Sequence, residues 1–321
     1  MTKRRTFVLW LIAMSGLGLL CAAEPEHGLM AEIWPDAIRD QWYTKPAAIR
    51  FVTPALDLHW EAGQGADTTM PIKDKKYWWT ARFSGALVPP ADGTYFLRLT
   101  ADNFARLLLD NRMIINGWNT KGGTVLTSAP LPLRKGVPVA VLIEFVQDLG
   151  DAGITLEWQP PASNAFVVIP STALRPHLPA GPHAVTRFRF FPTSTMKGGR
   201  LTGSNTSALS DFVELARIAE EPPAGQWSEI AVSNPRTFRF VKYESPPGSH
   251  GGVAEVEFYG GETKLAGTGF GTAGSRSANN TWRKALDGNT DTFFDAHDAD
   301  DQYVGLDLGE AVQVAAPFFE P

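Results

Sequence analysis

A run of spaced carboxylates at residues 295–301, DAHDADD, is the first place in the sequence where cation chemistry is conceivable. Carboxylates at alternating positions hold calcium in an EF-hand loop. This run lacks the central glycine and the distal glutamate that complete such a loop. We therefore expect a solvated loop at this position.

Other reactive motifs give no support for catalysis. Residues 269–274, GFGTAG, satisfy the glycine pattern of a dinucleotide-binding turn, but no helix or βαβ unit accompanies them, so we expect a loop. After residue 23 the sequence has no metalloprotease, serine-hydrolase or P-loop motif. The single cysteine of the whole chain is Cys21, so the sequence after residue 23 offers no cysteine nucleophile. Spacing alone does not exclude a carboxylate pair for glycoside hydrolysis. We expect a protein that is not an enzyme.

An aromatic and an amide side chain at Trp118 and Asn119 suggest sugar recognition. They follow a strand-like run at residues 113–115. An exposed indole lies well against the apolar face of a pyranose, whereas a tryptophan in a β domain also serves as a core residue. The sequence leaves both roles open.

The elements that must position these residues are β-strands. Runs such as TYFLRLT (94–100), VAVLIEFV (139–146) and VAEVEFYG (253–260) carry the apolar and polar alternation of half-buried antiparallel strands. The sequence has 30 Gly and 24 Pro, and turn signals separate the runs at hairpin spacing. No comparable helical periodicity follows the N-terminal segment. The fold class that we predict is all-β, with two antiparallel β-sandwich domains.

The N-terminus has the pattern of a signal peptide, which we place at residues 1–23. Basic residues 3–5 precede an apolar run at 7–20 and a small-residue end at 21–23, and the run is too short for a comfortable membrane span. We predict secretion; lipid anchoring at Cys21 is the disfavoured alternative, because Leu20 is large for that site. The net charge of -5 offers no broad basic field for nucleic acid or an anionic membrane.

Length and a proline-rich segment define the predicted domains. A chain of 321 residues favours two domains, and the segment 176–184, PHLPAGPHA, is the most linker-like. We predict a first sandwich at 24–177, a linker at 178–184 and a second sandwich at 185–321.

The first domain, from Gly28 to about Arg175, resembles the protective-antigen-type (PA14) domain of bacterial toxins, glycosidases and yeast adhesins. The resemblance is carried by GLMAEIW from residue 28, LDLHW from 56, the segment 78–118 and IEFVQDLGDAGITLEWQPP from 143. In sugar-binding members of this family, two adjacent aspartates after a strand hold a calcium ion that orders sugar hydroxyls.

That aspartate pair corresponds here to Asp102 and Asn103, with Asp148 or Asp151 as further candidate ligands. Asn103 keeps an oxygen ligand but removes one negative charge, so a weakened calcium and sugar site is implied. The alternative is a plain Asx-type turn, whose side chains hydrogen-bond their own backbone.

The second domain resembles the discoidin, or coagulation-factor type C, domain, a galactose-binding-like jelly roll, with its halves in reversed order. The pattern of the usual second half occupies 185–260, and that of the first half occupies 263–309. Closure of both halves into one permuted sandwich is expected, because either half alone would expose a sheet face. A truncated tandem array is the alternative.

The discoidin resemblance also implies a structural calcium ion. Its ligands map to the Ala285 carbonyl, Asp287, Asn289, Thr292 and Glu255, so that the ion would join the two halves. The alternative is that residues 286–289 form only a tight Asp-Gly turn.

Together these features predict a secreted, non-catalytic protein that binds polysaccharide or glycan with calcium support. A structural or adhesive protein that binds other surface proteins, and an accessory fragment of a larger glycoside hydrolase, are the rival interpretations, because a fold alone does not dictate function.

Overall fold

The computed structural model describes residues 27–36, 45–60, 77–120, 124–176, 184–232, 237–277 and 279–309. The predicted signal peptide and residues 178–183 of the predicted linker lie outside these ranges. Within them the chain forms β-strands and two short 3₁₀ helices, Ser171–Ala173 and Trp282–Leu286. No helix among the described residues is long and apolar enough to cross a membrane. The prediction of an all-β fold is confirmed.

The first part of the chain forms strands β1 to β13. Their bounds are β1 Leu29–Trp34, β2 Ile49–Thr53, β3 Asp57–Trp60, β4 Trp79–Leu87, β5 Gly93–Asp102, β6 Phe104–Leu109, β7 Arg112–Asn116, β8 Thr124–Thr127, β9 Leu131–Leu133, β10 Val139–Gln147, β11 Ala152–Gln159, β12 Val167–Val168 and β13 Leu174–Arg175.

These strands form two antiparallel sheets that face each other. Sheet A has the order β2-β1-β4-β10-β6-β7 with β13 beside β4, and sheet B has the order β12-β11-β5-β8 with β3 beside β11 and β9 beside β5. Alternate apolar residues of both sheets meet in one buried core, which includes Phe83 and Phe145 from sheet A and Leu97 and Leu156 from sheet B. This is the layer arrangement of a β-sandwich.

The second part of the chain forms strands β14 to β22. Their bounds are β14 Arg187–Pro192, β15 Arg200–Ser204, β16 Val213–Arg217, β17 Ser228–Ala231, β18 Phe240–Glu244, β19 Val253–Gly260, β20 Thr263–Lys264, β21 Thr268–Gly271 and β22 Tyr303–Asp307.

Strands from residues 185–260 and 263–309 pair with each other in this second part. Sheet C has the order β17-β14-β19-β20, and sheet D has the order β16-β15-β18-β22-β21. Within sheet D, β22 lies between β18 from the segment 185–260 and β21 from the segment 263–309. Phe188 and Phe258 of sheet C and Val241 and Val304 of sheet D share one buried core.

A row of charged side chains crosses the face of sheet A that points away from its core. The residues are directly opposed in register across neighbouring strands, and their signs alternate. In order across the sheet they are Arg50, Glu32, Arg82, Glu144 and Arg106.

Sheet D and the 3₁₀ helix 282–286 cover this charged row at Arg82 and Glu144, whereas Arg50 at its end is exposed. Arg283 donates from Nη2 to both carboxylate oxygens of Glu144, at 2.6 and 2.8 Å, and Arg82 donates from Nη2 to the Gly269 carbonyl at 3.2 Å. Glu144 is 0% exposed. The polar face of the first sandwich is therefore an interior surface of the whole chain.

Close backbone approach fixes this junction at Gly269. Its amide donates to Asn111 Oδ1 at 2.8 Å, and a β-carbon there would lie 2.7 Å from the Trp282 ring. The expectation of a loop at 269–274 is thus wrong for residues 269–271, which belong to β21. These glycines serve sheet packing, where a side chain would not fit.

Candidate functional site

One end of the first sandwich, which we call the rim, brings together two connections. Strand β5 ends at Asp102, β6 begins at Phe104, and the turn 148–151 joins β10 to β11. Register places Gly153 opposite Asp102 and Val146 opposite Phe104. The candidate residues Asp102, Asn103, Asp148 and Asp151 therefore meet at the rim.

Asn103 organises the rim through its side-chain amide. Its Oδ1 accepts from the backbone N–H groups of Asp148 (2.6 Å) and Leu149 (3.2 Å). Its Nδ2 donates to Asp102 Oδ1 at 2.9 Å and to the Leu149 carbonyl at 3.3 Å. The peptide bond between Asp102 and Asn103 is cis. Asn103 thus holds the two rim loops together, and its side-chain oxygen is engaged by backbone.

The rim also concentrates negative charge. Burial, and then the neighbouring Asp151 carboxylate, raise the pKa of Asp102. Asp148 Oδ1 is buried and accepts no hydrogen bond from any residue that the structure describes. Closely placed carboxylate oxygens of this kind suit a hard cation. The rim thus places Asp102 and Asp151 close enough to interact, while the Asn103 oxygen is taken up by backbone N–H groups.

Trp78 is a rim residue that the sequence analysis did not single out. It immediately precedes β4, whose first residue Trp79 pairs with Gln147 next to the turn 148–151. Trp78 is 52% exposed, whereas Trp79 is fully buried. The paired tryptophans at 78 and 79 are the available signal, because strand alternation sends one of two neighbouring side chains outward.

Trp118 lies on the outer face of sheet A. Its indole is only 8% exposed, and it packs with Trp34 and Val146. The Arg106 guanidinium lies 4.0 Å from the ring centroid. This burial favours the core role over that of an exposed stacking platform. Asn119, the next residue, is exposed.

The second candidate set, in the second sandwich, brings Glu255 of β19 beside Asp287. The backbone N–H of Asn289 donates to Glu255 Oε1 at 2.9 Å and to Asp287 Oδ1 at 3.0 Å. Thr292 donates its hydroxyl to the two Asp287 oxygens, at 3.1 and 3.0 Å. The Ala285 backbone belongs to the 3₁₀ helix that leads into this loop.

The buried carboxylate of Glu255 lies in contact with the partly buried carboxylate of Asp287 in this loop. Burial, and beyond it the Asp287 carboxylate, raise the pKa of Glu255 to about 7. Lys284 Nζ, 3.1 Å from Asp287 Oδ2, offsets only part of this charge. The donors are carboxylate, amide, hydroxyl and carbonyl oxygens, which is the chemistry that calcium prefers.

Among the described residues, no three His, Cys, Asp or Glu side chains form a metal-binding group. A cation at either place would therefore need ligands beyond these side-chain types. Calcium accepts backbone, amide and hydroxyl oxygens and water, so the donor sets are compatible with it.

A comparison with protein-family models finds one match, which falls within the first sandwich. The PA14 domain model matches residues 65–171, the segment that contains the rim. This match covers the rim residues Trp78, Asp102 and Asn103 and confirms the resemblance of the first sandwich.

Similar proteins cover different shares of the chain. The anti-sigma-I factor RsgI3 of Acetivibrio thermocellus is 26% identical over 143 residues, which make up 43% of this chain and 21% of that protein. The chain therefore spans about a fifth of the length of this relative.

Two solved structures are similar at low identity. An anti-sigma factor domain-containing protein from Clostridium clariflavum has a TM-score of 0.40 and 15% identity, covering 68% of this chain and 95% of that one. A PA14 sugar-binding domain from an RTX adhesin has a TM-score of 0.38 and 17% identity, covering 48% of this chain and 99% of that one.

Proposed function

We propose that this chain is a secreted, non-catalytic carbohydrate-binding protein that takes polysaccharide or glycan at the PA14 rim with calcium support. The observation that carries the proposal is the meeting of Asp102, Asp148 and Asp151 in a segment that matches the PA14 domain. A calcium ion held there would present open positions to sugar hydroxyls.

Trp78 supports the same proposal with an apolar surface. A half-exposed indole at the end of the sandwich offers a face for a pyranose, while the carboxylate cluster offers polar contacts. Sugar sites commonly combine an aromatic surface with a few placed polar groups. Under this proposal Trp78 takes the stacking role that the sequence leaves open for Trp118.

The second sandwich would carry a structural calcium ion at the loop 285–292. Asp287, Asn289, Thr292, Glu255 and the Ala285 carbonyl would hold it. The ion would neutralise the adjacent carboxylates and tie β19 to this loop. Its role is support of the fold.

The rim proposal is tested by retention of the protein on insoluble polysaccharides in calcium, with Asp102→Ala and the exposed control Asp298→Ala compared. We expect Asp102→Ala to lose at least about ten-fold in affinity, as chelator does to the wild type, because one charged ligand is removed. Asp298→Ala should bind normally. Normal retention of Asp102→Ala together with insensitivity to chelator would contradict the rim site.

A structural or adhesive protein that binds surface proteins is the second candidate. It is favoured by Asn103, whose oxygen accepts two backbone N–H groups and stabilises the loops without any ligand. On this interpretation Asp102→Ala would leave association with cell surfaces unchanged.

A further inference from the structure

A cleft with a volume of about 510 Å³ lies at the junction of the two sandwiches. Its volume falls within the range of small-ligand sites. One wall comes from β6, β7 and the residues that follow β7, and the other comes from the 3₁₀ helix 282–286 and the segment that leads into it. A ligand held in the cleft would therefore contact both sandwiches.

The charged side chains of the described lining already pair with opposite charges. Arg106 and Arg283 share the Glu144 carboxylate, at N–O distances of 2.5 and 2.6 Å. Lys284 Nζ lies 3.1 Å from Asp287 Oδ2. A charged ligand would have to compete with these existing partners, so the lining favours a ligand without charge.

Uncharged polar side chains supply the groups that remain for a ligand. Asn119 of the first sandwich and Asn279 of the second are exposed, and Thr281 is half-buried. Among the described residues, the side chains of these three have no hydrogen-bond partner. Amides and hydroxyls both donate and accept hydrogen bonds, as sugar hydroxyls do. The two walls therefore offer matched groups from opposite sides.

Apolar surface lies beside these polar groups. Met113 is 41% exposed, and Leu108 and Trp118 also line the cleft. The Arg106 guanidinium lies 4.0 Å from the Trp118 ring centroid, so the indole adds its edge rather than an open face. Ligand sites commonly combine apolar surface with a few placed polar groups, and the C–H face of a pyranose is apolar.

We propose that the cleft between the two sandwiches binds a neutral oligosaccharide. Asn119 and Asn279 contact its hydroxyls from opposite walls, Thr281 adds a hydroxyl, and Met113 contacts a C–H face. This proposal rests on the proposed carbohydrate-binding function and adds a second site to it. Binding in the cleft is weaker than binding at the rim, because hydrogen bonds to a neutral sugar replace hydrogen bonds to water of similar strength.

The test uses the Asp102→Ala variant in calcium, so that the rim is disabled while the rest of the protein is kept. Cellotriose, maltotriose, xylotriose, mannotriose and chitotriose are titrated against it by calorimetry. We expect at least one trisaccharide to bind, with an affinity that does not fall as salt is raised, because the ligand carries no charge. No binding by any of them, or a steep loss of affinity with salt, would overturn the cleft proposal.

Single substitutions in the same background locate the site. Asn119→Ala and Asn279→Ala each remove one amide from a wall of the cleft, and Asn164→Ala makes the same change at an exposed position between β11 and β12. Each cleft variant should weaken trisaccharide binding about ten-fold, and the control should not. Unchanged affinity in both cleft variants would show that the sugar binds elsewhere.

The outcomes for the two sites are distinguishable. Polysaccharide binding by the wild type, with no trisaccharide binding by Asp102→Ala, overturns the cleft alone and leaves the proposed function standing. Trisaccharide binding that survives Asp102→Ala and weakens in Asn119→Ala and Asn279→Ala supports the cleft. Silence of the wild type toward every sugar overturns both.

Discussion

At the scale of single residues, Glu144 decides how the chain is organised. In the sequence it is a polar position in the alternating run 139–146, which predicts a solvent-facing side chain. In the structure it is completely buried beneath Arg283. Alternation identifies the face on which a side chain lies, but it does not reveal what covers that face. The contact joins residues 139 positions apart, which no local pattern encodes.

Replacing Glu144 should destabilise the protein strongly. Glu144→Gln keeps the shape but leaves Arg82, Arg106 and Arg283 without their shared carboxylate, which should cost about 3–5 kcal/mol in the free energy of unfolding. The control Glu214→Gln removes an exposed ion pair with Arg217 and should cost at most about 1 kcal/mol. Urea denaturation measures both. Equal, small effects would show that the Glu144 cluster does not stabilise the junction.

Acid should weaken the junction only at very low pH. Burial by itself would raise the pKa of Glu144, but Arg106, Arg283 and Arg82 together lower it from 4.5 to about 2. A lowered folded-state pKa contributes stability that is complete above about pH 4.5 and lost as pH falls through about 2, here about 3 kcal/mol.

The measurement for this prediction is the urea midpoint between pH 6 and pH 2. The wild type should lose more stability over that range than Glu144→Gln, because the variant has no carboxyl to protonate. Parallel pH profiles for the two proteins would rule out Glu144 as the titrating group.

At the scale of elements, local pattern predicts strands well and their neighbours poorly. The runs 94–100 and 253–260 lie within β5 and coincide with β19, because alternation and turn chemistry are local properties. The glycine motif at 269–274 predicts a loop, but its residues 269–271 belong to β21. Gly269 has no room for a side chain because Trp282 and Asn111, which lie elsewhere in the chain, contact its backbone closely.

The site residues likewise divide into those that the sequence predicts and those whose surroundings it does not predict. Sequence resemblance names Asp102, Asn103, Asp287 and Glu255, and the structure places them in two separate clusters. The paired tryptophans at 78 and 79 signal that one of the two side chains points outward. The sequence gives no signal for the engagement of the Asn103 oxygen, because it depends on how two distant loops meet.

Calcium should stabilise the loop 285–292 if that loop holds the ion. We expect calcium to raise the midpoint of thermal unfolding of the wild type by several degrees, through binding to the folded state alone. Asp287→Ala should lose this calcium-dependent shift, whereas Asp291→Ala, an exposed neighbour in the same loop, should retain most of it. Differential scanning calorimetry with and without chelator measures the shift in the unfolding midpoint. A shift of equal size in Asp287→Ala would place the ion elsewhere.

At the scale of the whole molecule, the two sandwiches form one folded body. The outer face of sheet A, which would be solvated in an isolated sandwich, is covered by sheet D and the 3₁₀ helix 282–286. A cleft with a volume of about 510 Å³ opens at the junction of the two sandwiches.

The most direct test of the central claim is a glycan and polysaccharide array probed with the purified wild-type protein in calcium. The carbohydrate-binding proposal predicts selective signals on a subset of sugars, lost on addition of chelator and reduced in Asp102→Ala. Silence across a broad panel, from a protein whose folding is verified by a cooperative unfolding transition, would contradict it.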